Sequence, residues 1–143
     1  MSKVMQGRAA GALLTAAIVG LTGATAYIHF TLGGLLFTMN AMGYAAAAVA
    51  VVVGAAAPHP LIRQFSWVPR VGLAGYAATT IAAYLVMGPY FSLGWIAKGI
   101  EIALIGLLVL DVIRVYGSPA GLVRSAVASV ASVLPARSRP RAA

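Results

Sequence analysis

The chain has 143 residues, 62% of them hydrophobic and only 8% charged, with a net charge of +8 and no cysteine. Soluble domains carry about 25% charged residues, and short chains bury only part of the surface they expose, so a water-soluble globule is excluded and lipid is the expected solvent. Without cysteine there are no disulfides, thiolate metal sites or thiol nucleophiles, and the length suits one compact unit.

Lys3 and Arg8 precede a first apolar run, Ala9–Ile28, close to the roughly 20 residues a spanning helix needs. The basic start, the run Ala12–Leu21 and Ala24-Thr25-Ala26 also fit a cleaved signal peptide. The apolar stretch is longer than a usual signal core, so retention is expected. Gly33-Gly34 breaks the chain before a second run, Leu35–Ala57, whose end "AAAAVAVVVGAAA" has little side-chain bulk. Pro58-His59-Pro60 stops that run, since proline cannot continue a helix.

A third run, Val71–Met87, follows, with Ser66 placed to cap its helix and Pro69 tolerated in the first turn. Gly88-Pro89 ends it. The fourth run, Leu93–Tyr116, carries Lys98, Glu101, Asp111 and Arg114. Residues 1–117 therefore read as a four-span transmembrane domain, and residues 118–143 as a cytoplasmic tail. Gly117 can end the fourth helix, and Ser118-Pro119 can open another. Val123, Val127, Val130 and Leu134 are spaced 4, 3 and 4 apart, an amphipathic pattern expected to lie in the membrane interface. From Pro135 onward, "PARSRPRAA" is expected to be disordered and basic.

Basic residues fix the expected orientation. Lys3, Arg8, Arg63, Arg70, Arg114, Arg124, Arg137, Arg139 and Arg141 flank the termini and the middle connection. "HFTLGG" and "GPYFSLGW", the other two connections, have no lysine or arginine. The positive-inside rule then puts both termini in the cytoplasm. Arg63, Arg70, Arg124, Arg137, Arg139 and Arg141 are read as a basic collar on anionic inner-leaflet lipid. Nucleic-acid binding is not expected, because no folded basic surface remains for it.

Small residues recur along the runs: Gly7, Gly11, Gly20 and Ala24 in the first, Gly72, Gly75, Ala78 and Ala82 in the third. In lipid such residues allow close helix approach, either within the chain or against another subunit. Helices this thin are not expected to wall off a spacious pocket.

Depth sorts the polar residues. Trp95 suits the outer interface and Arg114 the inner one, roughly 28 Å apart at helical rise. Lys98 then lies about 4–5 Å inside and can snorkel outward, whereas Glu101, about 9 Å inside, cannot. Asp111 and Arg114, three apart, are expected to form a structural ion pair. Lys98 and Glu101 have the same spacing in the less favourable order, base before acid. Intramembrane ionisable groups are functional candidates. Glu101 is read as an interhelical anchor, a proton or cation site, or a contact to a partner. His29, Tyr27, Asn40, Tyr44 and Tyr84 lie at similar depth and are expected to join Glu101 in a polar layer.

No cofactor or metal is expected. His29 and His59 lie toward opposite faces, so one bis-histidine haem cannot use both. His29 with Met39 and Met42 is a poor copper site, because methionines on an apolar helix usually serve packing. There is no credible catalytic constellation. "HFTLGGLLFTMNAMGY" and "GPYFSLGWIAKGIE" resemble the turns of small, functionally uncharacterised four-helix membrane proteins of high-GC bacteria, over about Ala26 to Leu110. The resemblance implies a four-helix fold and a bacterial cytoplasmic membrane, and it transfers no activity.

The expected fold is thus an all-α integral membrane four-helix bundle. The expected function is a non-enzymatic accessory or structural subunit of a larger membrane complex, in contact with lipid and with other subunits or its own copies. The alternative is a small oligomeric proton- or cation-coupled transporter or channel using Glu101. A membrane enzyme ranks third.

Overall fold

The computed structural model describes the backbone of residues 3–134 and the side chains of residues 7–134. Among these the chain is all-helical, with α1 (Lys3–Leu32), α2 (Leu35–Ala56), α3 (Pro60–Gln64), α4 (Trp67–Met87), α5 (Ser92–Tyr116) and α6 (Pro119–Val133). Three helices are long and apolar enough to cross a membrane: α1 from Gly7 to Leu32, α2 and α4. With 25 residues α5 is as long, and it carries four charged side chains, Lys98, Glu101, Asp111 and Arg114.

Local chemistry explains most boundaries. Gly33 and Gly34 adopt φ of 71° and 81°, a region open to glycine at no steric cost, so two residues suffice to reverse the chain between α1 and α2. Gly117 is left-handed at φ 76°, closing α5. Ser118 then caps α6 by accepting a hydrogen bond from the Gly121 amide at 3.0 Å, with Pro119 at the first helical position. Two boundaries differ from expectation. A short helix, α3, occupies part of the loop after His59. Ser66 does not cap α4: its backbone is itself helical, and its hydroxyl lies 3.1 Å from the Tyr116 hydroxyl instead. Ser66 still occupies the position before the helix, so α4 begins at Trp67, four residues before Val71, with Pro69 in its first turn.

The four long helices form a closed ring of neighbours: α1 packs on α2 and α5, and α4 packs on α5 and α2. Each presents one stripe at the 3–4 spacing of a helix face. On α1 the stripe is Gly11, Ile18, Thr22, Thr25 and His29. On α4 it is Arg70, Leu73 and Ala77, and on α5 it is Gly94, Ala97, Lys98, Glu101, Leu104, Leu108 and Asp111. Ile18, Tyr44, Val51, Leu73, Ala77, Leu104 and Leu108 make up the apolar core. Outside, the surface is apolar: Leu35 is 79% exposed, Val86 81% and Met87 76%. Exposed apolar surface of this kind marks contact with a membrane or with another protein.

The small residues divide between the two expected roles. A Cβ added at Gly20, Gly72 or Gly75 would meet nothing within 4 Å, so these glycines face outward. The helix contacts are made instead by larger side chains of the buried stripes. Glycine is required for close approach elsewhere, at Gly94 against Tyr84 and at Gly11 against Arg114.

Helix α6 docks through its polar side. Ser129 Oγ donates to the Gln64 carbonyl at 2.9 Å, and Gln64 Nε2 donates to the Ser129 carbonyl at 3.1 Å. Val123, Val127, Val130 and Leu134 are left exposed. That arrangement fits an amphipathic helix whose apolar face meets something other than its own protein.

Candidate polar site at Glu101

Glu101 is fully buried, on the inward stripe of α5. An isolated carboxylate in an apolar interior is costly unless it is paired and hydrogen-bonded. Three helices meet this need. Thr25 Oγ1 of α1 donates to Oε1 at 3.0 Å, Thr80 Oγ1 of α4 donates to Oε2 at 2.8 Å, and Lys98 Nζ, one turn back on α5, donates to Oε2 at 2.5 Å. A fourth group stands by: His29 Nε2 is 3.8 Å from Oε1. His29 is oriented by its other nitrogen, 2.8 Å from the Thr25 carbonyl oxygen. A carbonyl only accepts, so the ring proton sits on Nδ1.

Further residues extend the cluster. Thr80 has one proton, shared between Glu101 and the Ala77 carbonyl, both acceptors, so the Tyr44 hydroxyl, 2.8 Å away, donates to Thr80 Oγ1. Tyr44 is fully buried and packs edge-on against Tyr76 at 4.8 Å and tilted against His29 at 5.5 Å. Asn40 does not reach Glu101. Its side-chain oxygen accepts from the Tyr76 hydroxyl at 2.5 Å. The Tyr84 ring lies 5.8 Å from Lys98 Nζ, a cation–π distance, and packs edge-on against Trp95 at 5.4 Å. Tyr84 is pinned by Phe91, whose amide donates to its hydroxyl at 3.1 Å.

The structure revises several placements read from the sequence. Lys98 does not snorkel outward; it is 5% exposed and turned inward, because Glu101 supplies an anion within reach and Tyr84 covers its outer side. Tyr27 is 69% exposed and takes no part in the polar layer. Met39 and Met42 are exposed, and no hydrogen bond or ion pair among the described residues ties either to His29. Thr25, Thr80 and Tyr76 were not singled out. Their signal was positional: Thr25 is one helical turn before His29, and Thr80 one turn before Tyr84.

A second cluster lies ten residues further along α5, roughly 15 Å away. Arg70 Nε of α4 donates to Asp111 Oδ2 at 2.7 Å, and Arg114 Nη2 donates to Oδ1 at 2.7 Å. Arg70 Nη1 also donates to the Ser66 carbonyl at 2.6 Å. The Asp111–Arg114 pair is thus part of a triad. Arg70 is 5% exposed, which corrects its assignment to the lipid-facing collar; a buried guanidinium is held there by a carboxylate and a carbonyl. Arg63 and Arg124 are exposed. Arg137, Arg139 and Arg141 lie outside the described residues.

A cavity of about 510 Å³ opens beside the Glu101 cluster, contrary to the expectation that thin helices enclose no such space. Its walls are mainly apolar, including Leu36, Phe37, Met87 and Phe91, while His29, Asn40, Thr80 and Lys98 supply polar atoms. Glu101 does not line it; Lys98 and His29 stand between the carboxylate and the cavity. Among the described residues no group of three or more histidines, aspartates or glutamates is placed to hold a metal ion.

Compared with family models, curated proteins and solved structures, the chain matches none, so the functional reading is built from this geometry.

Proposed function

We propose that the chain is a four-span bundle of a bacterial cytoplasmic membrane, with both termini inside, that serves as a non-enzymatic accessory or structural subunit of a larger membrane complex. Helix α5 is the fourth span, with Lys98, Glu101 and Asp111 buried among its neighbours and Arg114 partly exposed near its end. The observation that carries the reading is the saturation of both buried acids. Glu101 receives hydrogen bonds from three helices, and Asp111 is bracketed by two arginines. Between them Leu73, Leu104 and Leu108 are at most 1% exposed, so an apolar layer separates the two charged layers. Carboxylates so engaged act as locks between helices. The outward-facing glycines and the exposed basic residues Arg63 and Arg124 are then available to partner helices and anionic lipid.

Extraction in mild detergent tests this reading. The expected result is co-purification with larger membrane proteins at fixed stoichiometry. A chain recovered only as itself contradicts it.

One observation favours the alternative of a small oligomeric transporter. The cavity reaches Lys98 and His29, which touch Glu101, so the acid is one residue from an opening. On that reading, reconstituted protein would carry a pH-dependent cation or proton flux that is lost in Glu101→Gln.

A further inference from the structure

The cavity beside Lys98 has a chemistry that the locking role of Glu101 does not use. Lys98 and His29 are each about 95% buried and line it. An ammonium has three N–H donors, and among the described residues Lys98 gives one of them, to Glu101. His29 Nδ1 carries its proton toward the Thr25 carbonyl, so in the neutral imidazole Nε2 is an acceptor, and it has no hydrogen bond among the described residues. Its nearest charged neighbour, Glu101 Oε1 at 3.8 Å, is itself an acceptor. The polar end of the cavity therefore offers cationic donors and one aromatic nitrogen acceptor side by side. Asn40 adds an amide nitrogen, because only its oxygen is engaged by Tyr76.

We propose that this cavity binds a long-chain monocarboxylic acid of the fatty-acid class, with its head at Lys98 and His29. The acid's O–H donates to His29 Nε2 and its C=O accepts from Lys98 Nζ. Moving the proton from the acid to Nε2 leaves a carboxylate that accepts from both. Lys98 and Glu101 offset each other, so site and ligand together carry no net charge in either form, as a low-dielectric site requires. An ester lacks the proton for Nε2, and a hydrocarbon meets neither group. The remaining wall, with Leu36, Phe37, Met87 and Phe91, suits an alkyl chain. Small-molecule pockets run from about 300 to 1,000 Å³, and this one falls within that range at about 510 Å³. Leu36, Met39 and Met87 at its margin are exposed on the apolar surface, which gives a membrane-dissolved amphiphile direct entry. The proposal does not depend on the subunit reading.

The test is equilibrium binding of isotope-labelled palmitic acid to the full chain in a neutral detergent, alongside methyl palmitate. Two variants are compared: Lys98→Met, which removes the donor, and Ala83→Phe, which adds bulk to the cavity wall on α4, where Ala83 lines it. Saturable binding of one acid per chain is expected, at least tenfold weaker for the ester and for Lys98→Met, and absent in Ala83→Phe at an unchanged melting temperature. Equal binding of acid and ester overturns the proposal in favour of a plain acyl groove. Unaltered binding by Ala83→Phe, or no saturable binding by the wild type, overturns the site itself. If Lys98→Met does not fold, the ester comparison and Ala83→Phe decide.

Discussion

Glu101 and Lys98 stabilise the fold only as a pair. Removing one partner of a buried ion pair strands the other, which costs more than the pair contributes, whereas replacing both with apolar groups of similar volume is often neutral or stabilising. The Lys98→Met/Glu101→Met double variant is therefore expected to melt above either single variant, by calorimetry or fluorescence in detergent. A double variant no more stable than the singles would show that the pair is not the relevant unit. Gly94 offers a second residue-scale test. A Cβ there would sit 2.7 Å from the Tyr84 ring, which covers Lys98 and packs on Trp95. Gly94→Ala is expected to cost about 1–3 kcal/mol, the usual range for overpacking, and to shift the tryptophan emission. At this scale the sequence was legible where one physical rule acted alone. Helical rise put Glu101 too deep for its short side chain to reach water. Lys98 obeyed two competing rules, snorkelling and pairing, and the winner depended on Tyr84, which is distant in sequence and so invisible to spacing.

Element boundaries follow from glycine and proline chemistry, so the turns at Gly33-Gly34 and Gly117 were readable in advance. What spacing could not supply was which neighbour each stripe meets. The 3–4 pattern on α5 has Asp111 facing inward, yet its tie to Arg70 on α4 depends on the order of helices round the ring. Read by itself, Arg70 belongs to a basic loop; in the fold it is the strut between α4 and α5. Asp111→Asn is expected to destabilise by about 3–5 kcal/mol, because a buried guanidinium loses its counter-charge. Thermal denaturation of the variant measures it, and a loss below about 1 kcal/mol would mean that the triad behaves as a surface pair.

For the whole molecule, the absence of cysteine permits a direct test of topology. Single cysteines are introduced at exposed positions: Leu35 and Tyr90 beside the two uncharged turns, and His59 in the basic loop. In intact cells, a membrane-impermeant maleimide is expected to label Leu35→Cys and Tyr90→Cys, and to label His59→Cys only after permeabilisation. The opposite pattern would invert the proposed orientation, and labelling of Tyr90→Cys and His59→Cys from one side would remove α4 as a span. The apolar character was legible from composition alone. The cavity was not, because its polar wall is assembled from four helices, with His29 of α1, Asn40 of α2, Thr80 of α4 and Lys98 of α5, a property of the assembly rather than of any one helix.

The central claim is that Glu101 locks α1, α4 and α5 together. It is tested most directly by the melting temperature of Glu101→Gln against wild type in the same mild detergent. The account predicts a lower melting temperature, by the equivalent of about 3–5 kcal/mol, because the buried Lys98 ammonium loses its counter-charge. A melting temperature equal to or above that of the wild type would contradict it.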